Sequence, residues 1–106
     1  MPSGTFNVMA TPFAFGPSVA HVPSLLGGAG SFLIAVEADS ISDAVGPILG
    51  QLDYWDTQDR FRSDTFFDSI RVTASGRSAF TPKIRFKSLT VNGQIVRGRW
   101  SIAASP

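Results

Sequence analysis

The chain has 106 residues, no cysteine, and 43% hydrophobic, 11% aromatic and 16% charged residues. That is one small domain built on ordinary apolar packing: disulfides and cysteine-ligated metals are excluded, and nine Phe, two Trp and one Tyr supply more burial than a disordered chain carries. The net charge of +1 hides a segregation, because residues 1–36 hold no Lys, Arg, Asp or Glu and all eight acids fall between Glu37 and Asp68. With Arg60 and Arg62 that middle stretch carries −6, while residues 69–106 hold seven Lys and Arg, no acid and a charge of +7. Such a distribution predicts an acidic middle lying near a basic end and offsetting it, at modest value per exposed pair.

In chain order, residues 5–10 alternate apolar and polar and read as a short strand, followed by a Gly/Pro-rich loop with a turn at residues 26–31 (LGGAGS). Residues 1–30 are thus expected as a loop and edge segment, or a lid, and residues 31–106 as an antiparallel β core, together one domain. Pro12, Pro17 and Pro23 interrupt the apolar stretch. No positively charged leader region precedes it, and no apolar run approaches the roughly 20 residues of a spanning helix, so a soluble chain without a signal peptide is expected. Residues 32–38 (FLIAVEA) are short and rich in large aliphatic side chains, which favours a strand. From residue 40 the spacing changes. Ile41, Val45, Ile48, Leu49 and Leu52 recur at intervals of three and four behind the capping candidates Ser40 and Ser42, predicting one short helix at about residues 42–55 that Pro47 and Gly50 make irregular.

Residues 66–74 alternate cleanly, with Phe66, Asp68, Ile70, Val72 and Ala74 on one face and Phe67, Ser69, Arg71 and Thr73 on the other. A turn at residues 75–78 follows. Residues 80–91 and 94–103 then flank Asn92-Gly93, a strong local signal for a type I′ hairpin. Matching faces requires a bulge near Lys87-Ser88, which sets Phe86 opposite Gly98 and Ile84 opposite Trp100. On that register the outward face carries Arg85, Lys87, Arg97 and Arg99.

Catalytic constellations are weak. His21 is the sole histidine and has no cysteine to activate, and an acid–base–nucleophile unit would need support the sequence does not show. Asp53, Asp56, Asp59 and Asp64 lack the loop spacing of a calcium site and any histidine partner, so a solvated face is the better reading. The LLGGAGS glycines have no Gly-Lys-Ser/Thr after them and are read as turn residues. No metal or other cofactor is expected, nor an enzymatic activity.

Four short runs carry a family resemblance. Residues 61–68 (FRSDTFFD), 82–88 (PKIRFKS), 93–98 (GQIVRG) and 38–41 (ADSI) resemble, in order, the L-R-S-x-x-F-F-D, P-x-I-x-F-x-S, G-x-L-T-I-x-G and A-x-S-I segments of the YceI-like, polyisoprenoid-binding family. The match spans about residues 36–98. This chain departs from the family in longer links at residues 41–58 and 68–82, in Gln58-Asp59 where the family has Arg-Asp, and in lacking terminal strands. The resemblance implies a lipocalin-like antiparallel barrel holding an isoprenoid or lipid-like chain, a periplasmic setting, and open strand edges that a second copy or the N-terminal segment covers.

The residues themselves also suit an apolar guest. Phe66, Ile70, Val72, Ile84, Phe86, Val96 and Trp100, with Ile102, offer one inner surface to a hydrophobic small molecule if room remains between them. The expectation is a mainly β, non-enzymatic binding protein for a hydrophobic ligand, assembled as a homo-oligomer. The alternatives are a nucleic-acid or anion-binding module using Arg85, Lys87, Arg97 and Arg99, and a small structural assembly subunit. Nucleic acid is disfavoured because no aromatic ring shares that basic face for base stacking.

Overall fold

The computed structural model describes residues 3–19, 30–42, 47–75 and 81–105, with side chains left aside at 39–42 and 104–105. Strand is the only regular secondary structure among those residues. The strands are β1 (Ser3–Pro12), β2 (Ser31–Ser42), β3 (Ile48–Trp55), β4 (Phe61–Phe66), β5 (Ser69–Ser75), β6 (Lys83–Ser88) and β7 (Gln94–Ser105). They form one seven-stranded sheet in the order β4-β3-β6-β1-β7-β2-β5. All pairings are antiparallel except β1 with β6, which run parallel over Thr11–Lys87 and Pro12–Ser88.

The sheet curls until its edges meet, giving a nearly closed barrel. Edge strands β4 and β5 are joined by Phe67 and Asp68, and at the far end of the seam Asp56 bridges to Ala74. The open edges that called for a second copy therefore lie along one seam within a single chain. Two walls result, β4-β3-β6 and β1-β7-β2-β5, and the alternation of each strand sends one set of side chains into the space between them.

Glycines facing aromatic residues set how those walls pack. On β1 and β7, Phe6 pairs with Gly98 and Gly4 with Trp100; on β3 and β4, Gly50 pairs with Phe66. Each ring lies across its glycine: a Cβ at Gly98 would sit 2.5 Å from Phe6 Cζ and 2.1 Å from the Glu37 carbonyl oxygen, and one at Gly50 would sit 2.4 Å from Phe66 Cζ. Phe86 is the hub. It stacks on Phe6 at 5.4 Å between centroids and meets Phe66 edge-on at 5.8 Å. Ile34, Val36, Leu52, Ile84, Val96 and Ile102 fill the remaining interior.

Several sequence expectations need correction. Residues 48–55 of the expected helix are strand β3: Ile48, Gly50, Leu52 and Tyr54 are buried in alternation, a period of two that the missing side chain of Gly50 conceals. Val45, like the turns at 26–29 and 76–78, lies outside the described residues. The N-terminal segment is no edge, since β1 lies inside the sheet between β6 and β7. For that reason the C-terminal hairpin does not form. Phe6, not Phe86, faces Gly98, and Gly4, not Ile84, faces Trp100. The link at residues 89–93 is held by side chains: Ser88 Oγ donates to the Asn92 carbonyl at 2.7 Å, and Gln94 Nε2 donates to Ser88 Oγ at 3.2 Å. Neither Asn92 nor Gly93 takes the positive φ that a type I′ turn requires. The register shift falls in β2 at Ala38/Ser40 rather than near Lys87.

After Pro12 the chain reverses at Phe13, whose φ is 56°, and runs back along β6. The backbone N–H groups of Phe13, Gly16 and Val19 donate to the carbonyls of Ser88, Phe86 and Ile84. This strap covers the β6 edge that the short β1 pairing leaves open.

The close approach at Gly98 makes a stability prediction. Gly98→Ala forces the Glu37 backbone or the Phe6 ring aside and should cost about 3 kcal/mol. Gly93→Ala meets first the flexible Met9 Sδ, at 3.3 Å, and should cost under about 1 kcal/mol. Urea denaturation of both variants, read as midpoint shifts at constant slope, checks the difference.

Candidate functional site

The residues expected to line an apolar ligand do converge. Phe66, Ile84, Phe86, Val96 and Trp100 are buried in one cluster with Ile102, and Ile70 and Val72 pack against it half-buried. They meet as a packed core: Ile84, Phe86 and Val96 have no exposed surface, and the Phe86 ring contacts both Phe6 and Phe66.

The four basic residues assigned to one face are split in two by β1. Arg85 and Lys87 stand on β6, where Arg85 Nη2 donates to Asp53 Oδ2 at 3.1 Å and both cations lie over the Phe15 ring of the strap, at 5.5 and 4.7 Å from its centroid. These two are already occupied by an acid and a ring. Arg97 and Arg99 stand two strands away on β7. Alternation on β5 turns Arg71 to the same outer wall, and Glu37 stands there on β2, opposite Arg99.

That wall carries the candidate site. Its outward side chains form rows across the strands: Arg71, Ala35, Ser101 and Ser3 in one, and Ser69, Glu37, Arg99 and Thr5 in the next. An open depression of about 390 Å³ lies between them, over the backbone of Gly4 and Trp100. Small side chains make it, because Ala, Ser and Thr leave room beside the long Arg and Glu. Glu37 Oε2 accepts from both Arg99 Nε, at 3.0 Å, and Arg99 Nη2, at 2.7 Å. The side chains of Arg71 and Arg97 make no hydrogen bond or ion pair among the described residues. Arg71 and Glu37 were missing from the sequence-based site. The outward position of Arg71 in the 66–74 alternation was the available signal, but it became meaningful only once β5 was known to share a wall with β7.

Four acids of the middle stretch, Glu37, Asp53, Asp56 and Asp64, carry ion pairs. Glu37–Arg99 and Asp53–Arg85 bear out the expected meeting of acidic middle and basic end, whereas Asp56 pairs with Arg60 and Arg62, and Asp64 with Arg62, inside the middle itself. Asp56 caps the β3–β4 turn by accepting from the backbone N–H groups of Arg60 and Gln58 at 3.0 and 2.8 Å, and the first of these bonds in particular holds its carboxyl below the usual carboxylate range. Asp59 takes the left-handed φ of 59° that this turn requires. Asp53 Oδ1 accepts from Gln51 Nε2 and Ser63 Oγ. Among the described residues no three His, Cys, Asp or Glu side chains gather as metal ligands. His21 lies outside the described residues.

Comparison with protein-family models, with curated proteins and with solved structures found no match. The resemblance to the YceI-like family thus rests on its four short runs, which fall at the end of β2, on β4 and its corner, on β6 and on the start of β7.

Tyr54 gives this region a direct spectroscopic test. Its hydroxyl donates to Asp64 Oδ2 at 2.6 Å, and burial together with that bond pushes its pKa up from 10.0 to about 12. As the sole tyrosine, it is reported alone by phenolate absorbance, which should show a midpoint near 12 in the folded protein. Because the folded value is the higher one, the stabilisation is complete below pH 10.0 and is lost as pH rises from there toward about 12. Asp64→Asn should bring the midpoint down toward 10.0, and an unchanged midpoint would contradict the assigned partner.

Proposed function

We propose that this chain is a non-enzymatic binding module that recognises an anionic ligand on the outer face of the β1-β7-β2-β5 wall. One observation carries the reading: Arg71 and Arg97, without partners among the described residues, flank the Glu37–Arg99 pair on a single wall. Among the described side chains, three guanidinium groups stand there against the Glu37 carboxylate and favour an anionic partner, and guanidinium is the side chain best matched to oxyanions. Arg85 and Lys87 are not part of it, being engaged by Asp53 and Phe15.

A hydrophobic, isoprenoid- or lipid-like guest in the interior is the weaker reading. The half-buried Ile70 and Val72 beside the β4–β5 seam favour it, but a chain-like guest has to part Phe6 or Phe66 from Phe86. Solvent extraction of the purified protein followed by mass spectrometry should therefore recover no stoichiometric lipid.

The anionic reading predicts that inorganic polyphosphate binds with an affinity that falls steeply and linearly on a logarithmic salt scale. Removing Arg71 or Arg97 as alanine variants should each reduce that salt slope by about one. Arg60→Ala, on the β3–β4 turn, should leave it unchanged. Absence of binding at low salt, or an equal loss from Arg60→Ala, contradicts the assignment.

A further inference from the structure

Within the basic wall we infer one discrete pocket for a single tetrahedral oxyanion, phosphate or sulfate, in which Glu37 is a built-in occupant that the ligand displaces. This rests on the anionic reading above and goes further by naming the group and the residue that competes with it. Glu37 places one carboxylate oxygen between Arg99 Nε and Nη2, so a single anionic oxygen accepts charge-assisted bonds from both nitrogens of that guanidinium edge. The chain's own side chain thus marks where an anionic oxygen sits.

The occupant is weakly held. The Arg99 and Glu37 side chains are 63% and 43% exposed, and an ion pair so open to water is worth little. Glu37 swings into solvent at the cost of this exposed pair. What remains is a depression of about 390 Å³ with Arg99 and Arg71 on its rim and the hydroxyls of Ser3, Thr5 and Ser101 around it. Arg71, which Glu37 leaves without a partner, supplies the second guanidinium.

The number of donors decides the class of ligand. Two guanidinium groups and hydroxyls from two strands can engage more oxygens than the two a carboxylate offers, whereas a phosphate or sulfate group presents three or four. A dianion also gains from two cations at once. Acetate is therefore the control anion, and Glu37 itself, a carboxylate, is a poor match for the whole site.

The experiment is a titration of the full chain with inorganic phosphate, sulfate and acetate, followed by nitrogen-15 signals of the arginine side chains. Phosphate or sulfate should shift Arg71 and Arg99 together along one saturable curve, leaving Arg60 and Arg85 in place, with acetate weaker. Glu37→Gln should bind about two- to fivefold tighter, the exchange value of an exposed ion pair. Arg71→Ala, with melting unchanged, should lose saturable binding. Shifts that spread to Arg60, fail to saturate, or ignore Glu37→Gln would overturn the pocket. If polyphosphate still binds the wall while the small anions do not saturate, the pocket fails and the wall stands; if neither binds, both fail.

Discussion

The ring of Phe86, on the β6 strand of one wall, stacks on Phe6 of the other wall and takes the edge of Phe66 from its own. Both partner rings reach it only because a glycine stands at the paired position, Gly98 under Phe6 and Gly50 under Phe66. A buried Phe contributes about 1.5–3 kcal/mol and each ring contact about 0.5–1.5 kcal/mol more. The larger effect is geometric. A side chain at Gly98 or Gly50 would lift a ring off its strand and separate the walls, and the depth of the interior follows from the fact that none is there.

This packing determines what the outside can do. With the interior filled, β1 is held between β6 and β7, and the strands that carry most of the basic residues are parted. Arg85 and Lys87 are drawn to Asp53 and the Phe15 strap. Arg97 and Arg99 are left on a wall with Arg71 and Glu37, where small outward residues on β1, β2 and β7 leave a depression. The charge pattern that matters is thus a product of strand order.

Strand faces were readable from the sequence and strand partners were not. Alternation over residues 66–74 placed Ile70, Val72 and Ala74 inward and Arg71 and Thr73 outward, as β5 has them. Residues 32–38 were recognised as strand. The principle that an aromatic ring covers the strand glycine at 98 was also right, but the ring belongs to Phe6 rather than Phe86. Local periodicity carries no information about a partner some 90 residues away in sequence. In β3 a glycine at an inward position broke the period of two and left Ile48, Leu49 and Leu52 reading as a helical stripe. Asn92-Gly93 misled for a related reason: a strong local turn signal gives way when another strand gains more by lying between its flanks.

Cross-strand backbone contacts measured by nuclear Overhauser spectroscopy test this arrangement most directly. Insertion of β1 predicts contacts across Phe6–Gly98, Val8–Val96 and Gly4–Trp100, and across Gly50–Phe86 on the other wall. Contacts across Phe86–Gly98 and Ile84–Trp100 instead would restore the hairpin, reunite Arg85 and Lys87 with Arg97 and Arg99, and contradict both the fold and the site built on it.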